Sequence, residues 1–221
     1  MITELPPKEI AQLVCKQLNN MFTITESERQ IIYDNMEVVL DRLNTCFAPN
    51  KNGYYDREGQ TYFNPFHSAQ NCLFLYMLSN NIYRMVGRNG LSDRLYCLNK
   101  LLSGCDLYYE IELPKVIKTD DPVGTVLGRA TYGNYFCFIQ GCTVGNNRGI
   151  FPVIGDHVTM LSDSKLIGNC HIGDNVIIAA NTYIKDEDVP SNSIVFGSSP
   201  NLIIKNNKSI PFSETSQYRR T

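Results

Sequence analysis

The chain lacks what would draw it to a charged or lipid partner. Its 221 residues set 20 Lys and Arg against 22 Asp and Glu, a formal charge of −2. That balance gives no general attraction to nucleic acid or an anionic membrane. No apolar run approaches the ~20 residues that a bilayer span needs. The start, MITELPPKEI, places acidic residues and prolines where a secretory signal would have an apolar core. Eight cysteines are present, but none forms a CxxC pair and most sit in apolar stretches. They read as reduced, buried thiols of a cytoplasmic protein, with no metal site and no disulfide framework. Histidine is scarce: His67, His157 and His171 are the three in the chain. This narrows acid–base chemistry, because imidazole alone has an unperturbed pKa near neutrality, ~6.5.

What is present is a period of six. Ile154, Met160, Leu166, Ile172, Ile178 and Ile184 recur at that spacing. A helix repeats every ~3.6 residues and a strand every ~2, so neither explains it. A coil of three short edges per turn does, each edge sending one side chain to the axis. Four residues after the apolar positions stand Val158, Ser164, Cys170, Val176 and Thr182, small or β-branched as a tight corner requires. Gly155, Gly168 and Gly173 mark expected bends. The period extends backward through Val144, Phe138, Tyr132 and Val126. It skips about four residues within 145–153 (GNNRGIFPV), which predicts a loop projecting from the coil, the usual place for function on a rigid repeat. A further slip lies near Asp120 and Asp121. Pro190 and Pro200 mark irregularities at the far end.

The first half is helical. Ile10, Val14 and Leu18 share one face. Thr25 stands three before Glu28, a capping-box start, and leads into Ile32, Met36, Val39 and Leu43. Residues 48–66 read as a loop. A third helix is expected from near His67, and a fourth over about 91–103 with Leu91, Leu95, Leu98 and Leu102 on one face. The expected class is therefore α+β: a helical domain over 1–104, a parallel β-helix over 105–205 and a loose polar tail over 206–221.

Several segments, in order, carry a family likeness. They are Phe66-His67-Ser68-Ala69-Gln70, Asp106-Leu107, Asp120-Asp121-Pro122-Val123-Gly124-Thr125-Val126-Leu127-Gly128, Phe138-Ile139-Gln140-Gly141-Cys142-Thr143-Val144-Gly145, Lys165-Leu166-Ile167-Gly168-Asn169 and Gly197-Ser198-Ser199-Pro200. Over about residues 60–204 the chain resembles bacterial serine acetyltransferase, a family that joins a helical domain to a left-handed hexapeptide β-helix. The resemblance implies acetyl transfer from acetyl-CoA to serine or a related small hydroxyl acceptor. It also implies a homotrimer, with pairing of trimers into hexamers left open, and no metal. Two departures bear on the chemistry. Asp121 stands where the family has the histidine that takes the hydroxyl proton, and Phe151 stands at the second family histidine. The C-terminal Arg219-Arg220-Thr221 also departs from the family's terminal isoleucine, so docking onto the next enzyme of cysteine synthesis is not expected.

The resemblance assigns the remaining roles. Asp121 is the candidate base and Asp106 matches the aspartate that orients it. Asp120, His67 and Arg148 are candidate acceptor contacts. Ser162, Ser164, Ala179 and Ala180 line the expected coenzyme groove, with Lys185 or Lys205 near a phosphate. A free Asp carboxylate has a pKa of ~3.9, far below working pH for a base. Ordinary structural readings stand beside these. His67 opens a helix, His157 is a solvated turn residue, His171 points outward, Arg148 is a solvated loop residue, and small residues fill corners whatever binds there. The loss of both imidazoles keeps two alternatives open: an acyltransferase acting on sugars or nucleotide sugars for surface polysaccharide, and a non-catalytic trimeric scaffold.

Overall fold

A computed structural model describes residues 1–208. It separates into two compact units, one over Met1–Glu110 and the other from Ile111 onward.

The first unit contains four helices: α1 (Pro7–Met21), α2 (Glu26–Phe47), α3 (Ser68–Val86) and α4 (Gly90–Ser103). The α1 face of Ile10, Val14 and Leu18 and the α2 face of Ile32, Met36, Val39 and Leu43 are buried as expected. The capping box forms: the Glu28 amide donates to Thr25 Oγ1 at 3.3 Å, and the Thr25 amide donates to Glu28 Oε2 at 2.9 Å. α3 is buried continuously from Cys72 to Asn80 and is the central element of this unit. Leu102 departs from the expected α4 face. It is exposed in the last turn, just ahead of Gly104 at φ +64, while Leu91, Leu95 and Leu98 are buried. Residues 48–66 are more than a loop. Asp56–Arg57 and Gln60–Phe63 form a hairpin over Glu58 and Gly59, at φ +55 and +78, and Ile2–Thr3 adds a parallel strand to Tyr62–Phe63. Positive φ at both central residues is what a two-residue hairpin turn demands.

The second unit is a parallel β-solenoid with three ladders. The first stacks Ile117–Thr119, Phe136–Phe138, Thr159–Met160 and Ile177–Ile178, then Ile194–Val195. The second stacks Val126–Leu127, Thr143–Gly145, Lys165–Ile167 and Tyr183–Lys185. The third stacks Thr131–Tyr132, Val153–Ile154 and His171–Ile172, closed by a bridge to Val189. Ile154, Met160, Leu166, Ile172, Ile178 and Ile184 are all buried along the axis, and Val158, Ser164, Cys170, Val176 and Thr182 fill the corners behind them. The period fails at one inward position. Val126 is 43% exposed and Leu127 points inward, because Leu127 pairs with Val144. The inserted loop is confirmed on every face: Cys137 pairs with Thr159, 22 residues on, whereas Thr159 pairs with Ile177, 18 on.

Glycine's role in the coil differs from the expectation. Of the three glycines expected at bends, Gly155, Gly168 and Gly173, only Gly168, at φ +81, is left-handed; Gly124 and Gly141, at φ +76 and +69, take left-handed positions at another corner. Gly133, Gly155 and Gly173 stack in one column where a Cβ would collide with the backbone of the next turn. The bends fall mainly on Asp, Asn, Tyr and His: Tyr135, His157, Asn175 and Asn192 at one corner, and Asp163 and Asn181 at another, all with φ between +54 and +60. The coil ends in an antiparallel hairpin, Ser193–Ser198 with Asn201–Asn206. The start of the expected tail is fixed, since Asn207 is buried and its Nδ2 donates to the Asn175 carbonyl at 3.1 Å. The rest of that tail, from residue 209, lies outside the described residues.

Candidate active site

The fold sorts the sequence-predicted residues onto two corners of the coil and into the helical unit. The first corner joins the first ladder to the second. Residues 120–125, 139–142, 161–164 and 179–182 stack there, roughly 4.8 Å apart per turn. Each turn passes one hydrogen bond up the column: the amides of Gly141, Asp163 and Asn181 donate to the carbonyls of Val123, Gln140 and Ser162 at 3.0, 3.0 and 2.9 Å. The residue ahead of each donor keeps its own N–H for solvent. The amides of Gln140, Ser162 and Ala180 have no hydrogen-bond partner among the described residues. The result is an outward-facing file of unsatisfied donors, and an extended chain carrying amide carbonyls is the complement to such a file.

Asp121 lies at the base of this corner, exposed and at φ +49, in a left-handed turn. Asp120 does not share its environment. Its Oδ2 lies 3.0 Å from Nζ of Lys118, a lysine only 3% exposed on its side chain. A buried ammonium needs that partner, so Asp120 is committed to structure. Ser162 and Ala180 offer surface at the corner. Ser164 does not: it is fully buried, its amide donates to the Leu161 carbonyl at 3.2 Å, and its carbonyl accepts from Thr143. Its hydroxyl fills the corner interior and does not face a groove. Ala179 is also buried, and its amide is spent on the Val195 carbonyl at 2.9 Å.

The second corner joins the second ladder to the third and carries the inserted loop. Asn147 and Ile150 exchange two backbone hydrogen bonds of 3.0 Å, closing a two-residue turn over Arg148 and Gly149 at φ +53 and +81. Arg148 is exposed at the tip, with Ile150, Phe151 and Val153 also exposed. Lys185 is exposed on the same corner two turns of ladder later. Lys205 lies on the terminal hairpin, with Nζ 5.5 Å from the centre of the Phe196 ring.

Asp106 is already engaged within the helical unit. Tyr96 donates its hydroxyl to Oδ1 at 2.8 Å, and Lys100 Nζ lies 2.5 Å from Oδ2. The pair holds Lys100 above its ordinary value, while burial, reinforced by Asp106, raises Tyr96. Tyr96 and Lys100 sit four apart on α4, a spacing that places both on one face, and this was the signal available in the sequence. His67 caps α3 through its backbone only. Its ring packs 5.3 Å from Tyr54 and 6.0 Å from Tyr55, and Nδ1 is buried without a partner among the described residues. His157 is packed as well as turned: its ring stacks on Tyr135 at 4.5 Å and 7°. Both residues hold the same left-handed corner position one turn apart, so their side chains leave the coil side by side. His171 points outward as expected, with Nδ1 3.0 Å from Asp188 Oδ1.

Seven of the eight cysteines are buried, with Cys97 the exposed one, and none is joined in a disulfide. Among the described residues no cluster is able to hold a metal and no helix is long and apolar enough to cross a membrane. A cavity of about 630 Å³ in the helical unit is lined by Tyr33, Met36 and Leu40 among others, and by none of the residues above.

Residues 151–186 match the family described as bacterial transferase hexapeptide (six repeats). Serine acetyltransferase of Staphylococcus aureus (strain Mu50) is 32% identical over 147 residues, covering 63% of this chain and 66% of the relative. That of Synechococcus elongatus is 32% identical over 105 residues, covering 45% and 43%. The chain thus spans less than two thirds of the length of these relatives. Among solved structures, serine acetyltransferase of Vibrio cholerae superposes with a TM-score of 0.71 at 16% identity, over 95% of this chain and 84% of that one. A coenzyme A complex of the Brucella abortus enzyme gives 0.68 at 16%, over 93% and 84%. At such identities the structural likeness speaks to fold alone. Residues 151–186 thus carry the bacterial transferase hexapeptide repeat, and the chain is similar in sequence to the bacterial serine acetyltransferases over about two thirds of its length.

Proposed function

We propose that this protein is an acetyl-CoA-dependent O-acetyltransferase acting on serine or a related small hydroxyl compound, working as a cytoplasmic homotrimer. The observation that carries the reading is the file of outward amides at Gln140, Ser162 and Ala180, rising from the turn that holds Asp121. The pantetheine arm of coenzyme A is an extended chain with amide carbonyls at intervals. Exposed N–H groups repeated along one edge are donors for it, and the small side chains of Ser162 and Ala180 leave room for it. Lys185 supplies a positive charge for a phosphate. Arg148, on a turn closed by two backbone bonds, is a donor for the acceptor's carboxylate.

In the transfer, the acceptor oxygen bonds to the thioester carbon, the carbon–sulfur bond breaks, and the hydroxyl proton leaves through a base while coenzyme A departs as the thiol. On this reading that proton goes to Asp121. An aspartate with a pKa of ~3.9 is a weaker base than an imidazole of ~6.5, so turnover is slow. Asp106 contributes structure and not orientation of a base, since Tyr96 and Lys100 occupy its oxygens. The same engagement favours a second reading, a trimer that binds coenzyme A without transferring the acetyl group.

Thiol release from acetyl-CoA, followed in the presence of serine, tests the activity. Slow release that needs serine, and that rises at least tenfold in Asp121→His, is the expected result. Saturable acetyl-CoA binding with no release in either protein favours the second reading. No binding of any coenzyme A ester overturns both.

A further inference from the structure

One carboxylate beside the inserted loop joins three turns of chain and has no part in the transfer chemistry. Asp186 Oδ2 accepts from Asn147 Nδ2 at 2.6 Å, and Oδ1 accepts from the Asn169 amide at 2.8 Å. Its own amide donates to the Ile167 carbonyl at 3.1 Å, and the Gly168 amide donates to the Gly145 carbonyl at 2.9 Å. Asn147 is the first residue of the two-residue turn that carries Arg148. Gly168 lies between them, and a Cβ there would overlap both the Asp186 carboxylate and the Asn147 side chain. The space is filled by the clamp itself. Without it, the hairpin over 147–150 would be held by its own pair of backbone bonds and the Gly149 amide's 3.2 Å bond to Asn146 Oδ1, and a lone two-residue hairpin is marginal in water.

We infer that Asp186 is a positioning residue: it fixes the Arg148 turn to the next turn of the coil, and so sets where the acceptor is held. The inference rests on the proposed acetyltransferase reading for its catalytic consequence, but not for the clamp. Arg148 also lies within electrostatic reach of Asp186.

The test uses the full chain and two variants. Asp186→Asn keeps the size and removes the charge and one acceptor. Asn147→Ala removes only the side-chain bond and leaves the Asp186–Asn169 contact in place. The loop readout is tryptic cleavage after Arg148 under native conditions, with fragments identified by mass. Both variants should be cut at least fivefold faster there, with cleavage after Lys165 unchanged. The catalytic readout is a KM for the acceptor raised at least threefold, with kcat and the acetyl-CoA KM within twofold of the parent. Unchanged cleavage at Arg148 in both variants overturns the clamp. Faster cleavage with an unchanged acceptor KM overturns the positioning role. If the parent transfers no acetyl group, the activity reading fails, and the cleavage comparison still decides the clamp by itself.

Discussion

The two units solve the same packing problem by opposite means. In the helical unit each helix bonds its own backbone, and the core forms where separate amphipathic faces meet. In the coil almost every backbone bond runs to the turn above or below, and the core is one file of side chains such as Met160, Leu166 and Ile178. The first arrangement is cooperative across the whole unit. The second is a stack in which each turn leans on its neighbours, so its energetics are nearest-neighbour in character.

Truncations in the two cores should expose that difference with the largest effects. Leu73→Ala on α3 and Met160→Ala on the coil axis remove fully buried side chains, and each should cost about 2–5 kcal/mol. Amide exchange separates them. Leu73→Ala should raise exchange throughout the four helices. Met160→Ala should raise it in the flanking strands Phe136–Phe138 and Ile177–Ile178 before the terminal hairpin responds. Equal acceleration across the whole coil would break the comparison. Gly133→Ala comes next. Its methyl would press on the backbone of the Gly155 turn, an overpacking of about 1–3 kcal/mol, read as a lower urea midpoint. Thr25→Ala should cost about 1 kcal/mol, because it deletes one half of a capping box on α2.

The same contrast explains what was readable in the sequence. A six-residue repeat puts the coil's axis, corners and four-residue insertion into the spacing of letters, so Ile154 through Ile184 and a loop within 145–153 could be located without coordinates. The misplacement of Val126 came at a slip between turns, where spacing alone cannot say which of two adjacent valine and leucine residues faces inward. Ser164 was misread because a small residue at a corner looks the same whether it faces a groove or the interior. Its burial is decided by the Thr143 and Leu161 backbone bonds around it. The site's working parts were harder to find. The free amides at Gln140, Ser162 and Ala180 are backbone groups with no side-chain signature. The partners of Asp106 and Asp186 are set by tertiary pairing, between Tyr96, Lys100 and Asp106 in one unit and between Asn147, Asn169 and Asp186 in the other.

Acid provides the finest comparison, through one carboxylate in each unit. In the helical unit Glu4 is held below its usual value chiefly by the Tyr62 hydroxyl, with Arg57 Nη1 at 3.2 Å adding to it. In the coil Asp186 is held below its usual value chiefly by the Asn169 amide, with Asn147 next. For both, the folded pKa lies below the unfolded one, so each contributes above the unfolded value of ~4 and loses its contribution as pH falls through the folded one. Exchange of the Ile150 amide and of the Glu4 amide, which donates to Phe63 at 2.9 Å, should therefore rise below about pH 4, relative to that of Ile177. Salt then separates the two. Arg57 and Glu4 are both charged and solvent-exposed, and their attraction is screened within ~3 Å at 1 M. The Asp186 carboxylate is bound by neutral amide groups at hydrogen-bond distance, where screening has little to remove. At pH 6, adding 1 M salt should loosen the N-terminal strand measurably and leave the loop clamp unchanged. A loop that loosens as much as the strand would mean that the charges of Lys185 and Arg148, and not the two asparagines, are what matters to Asp186.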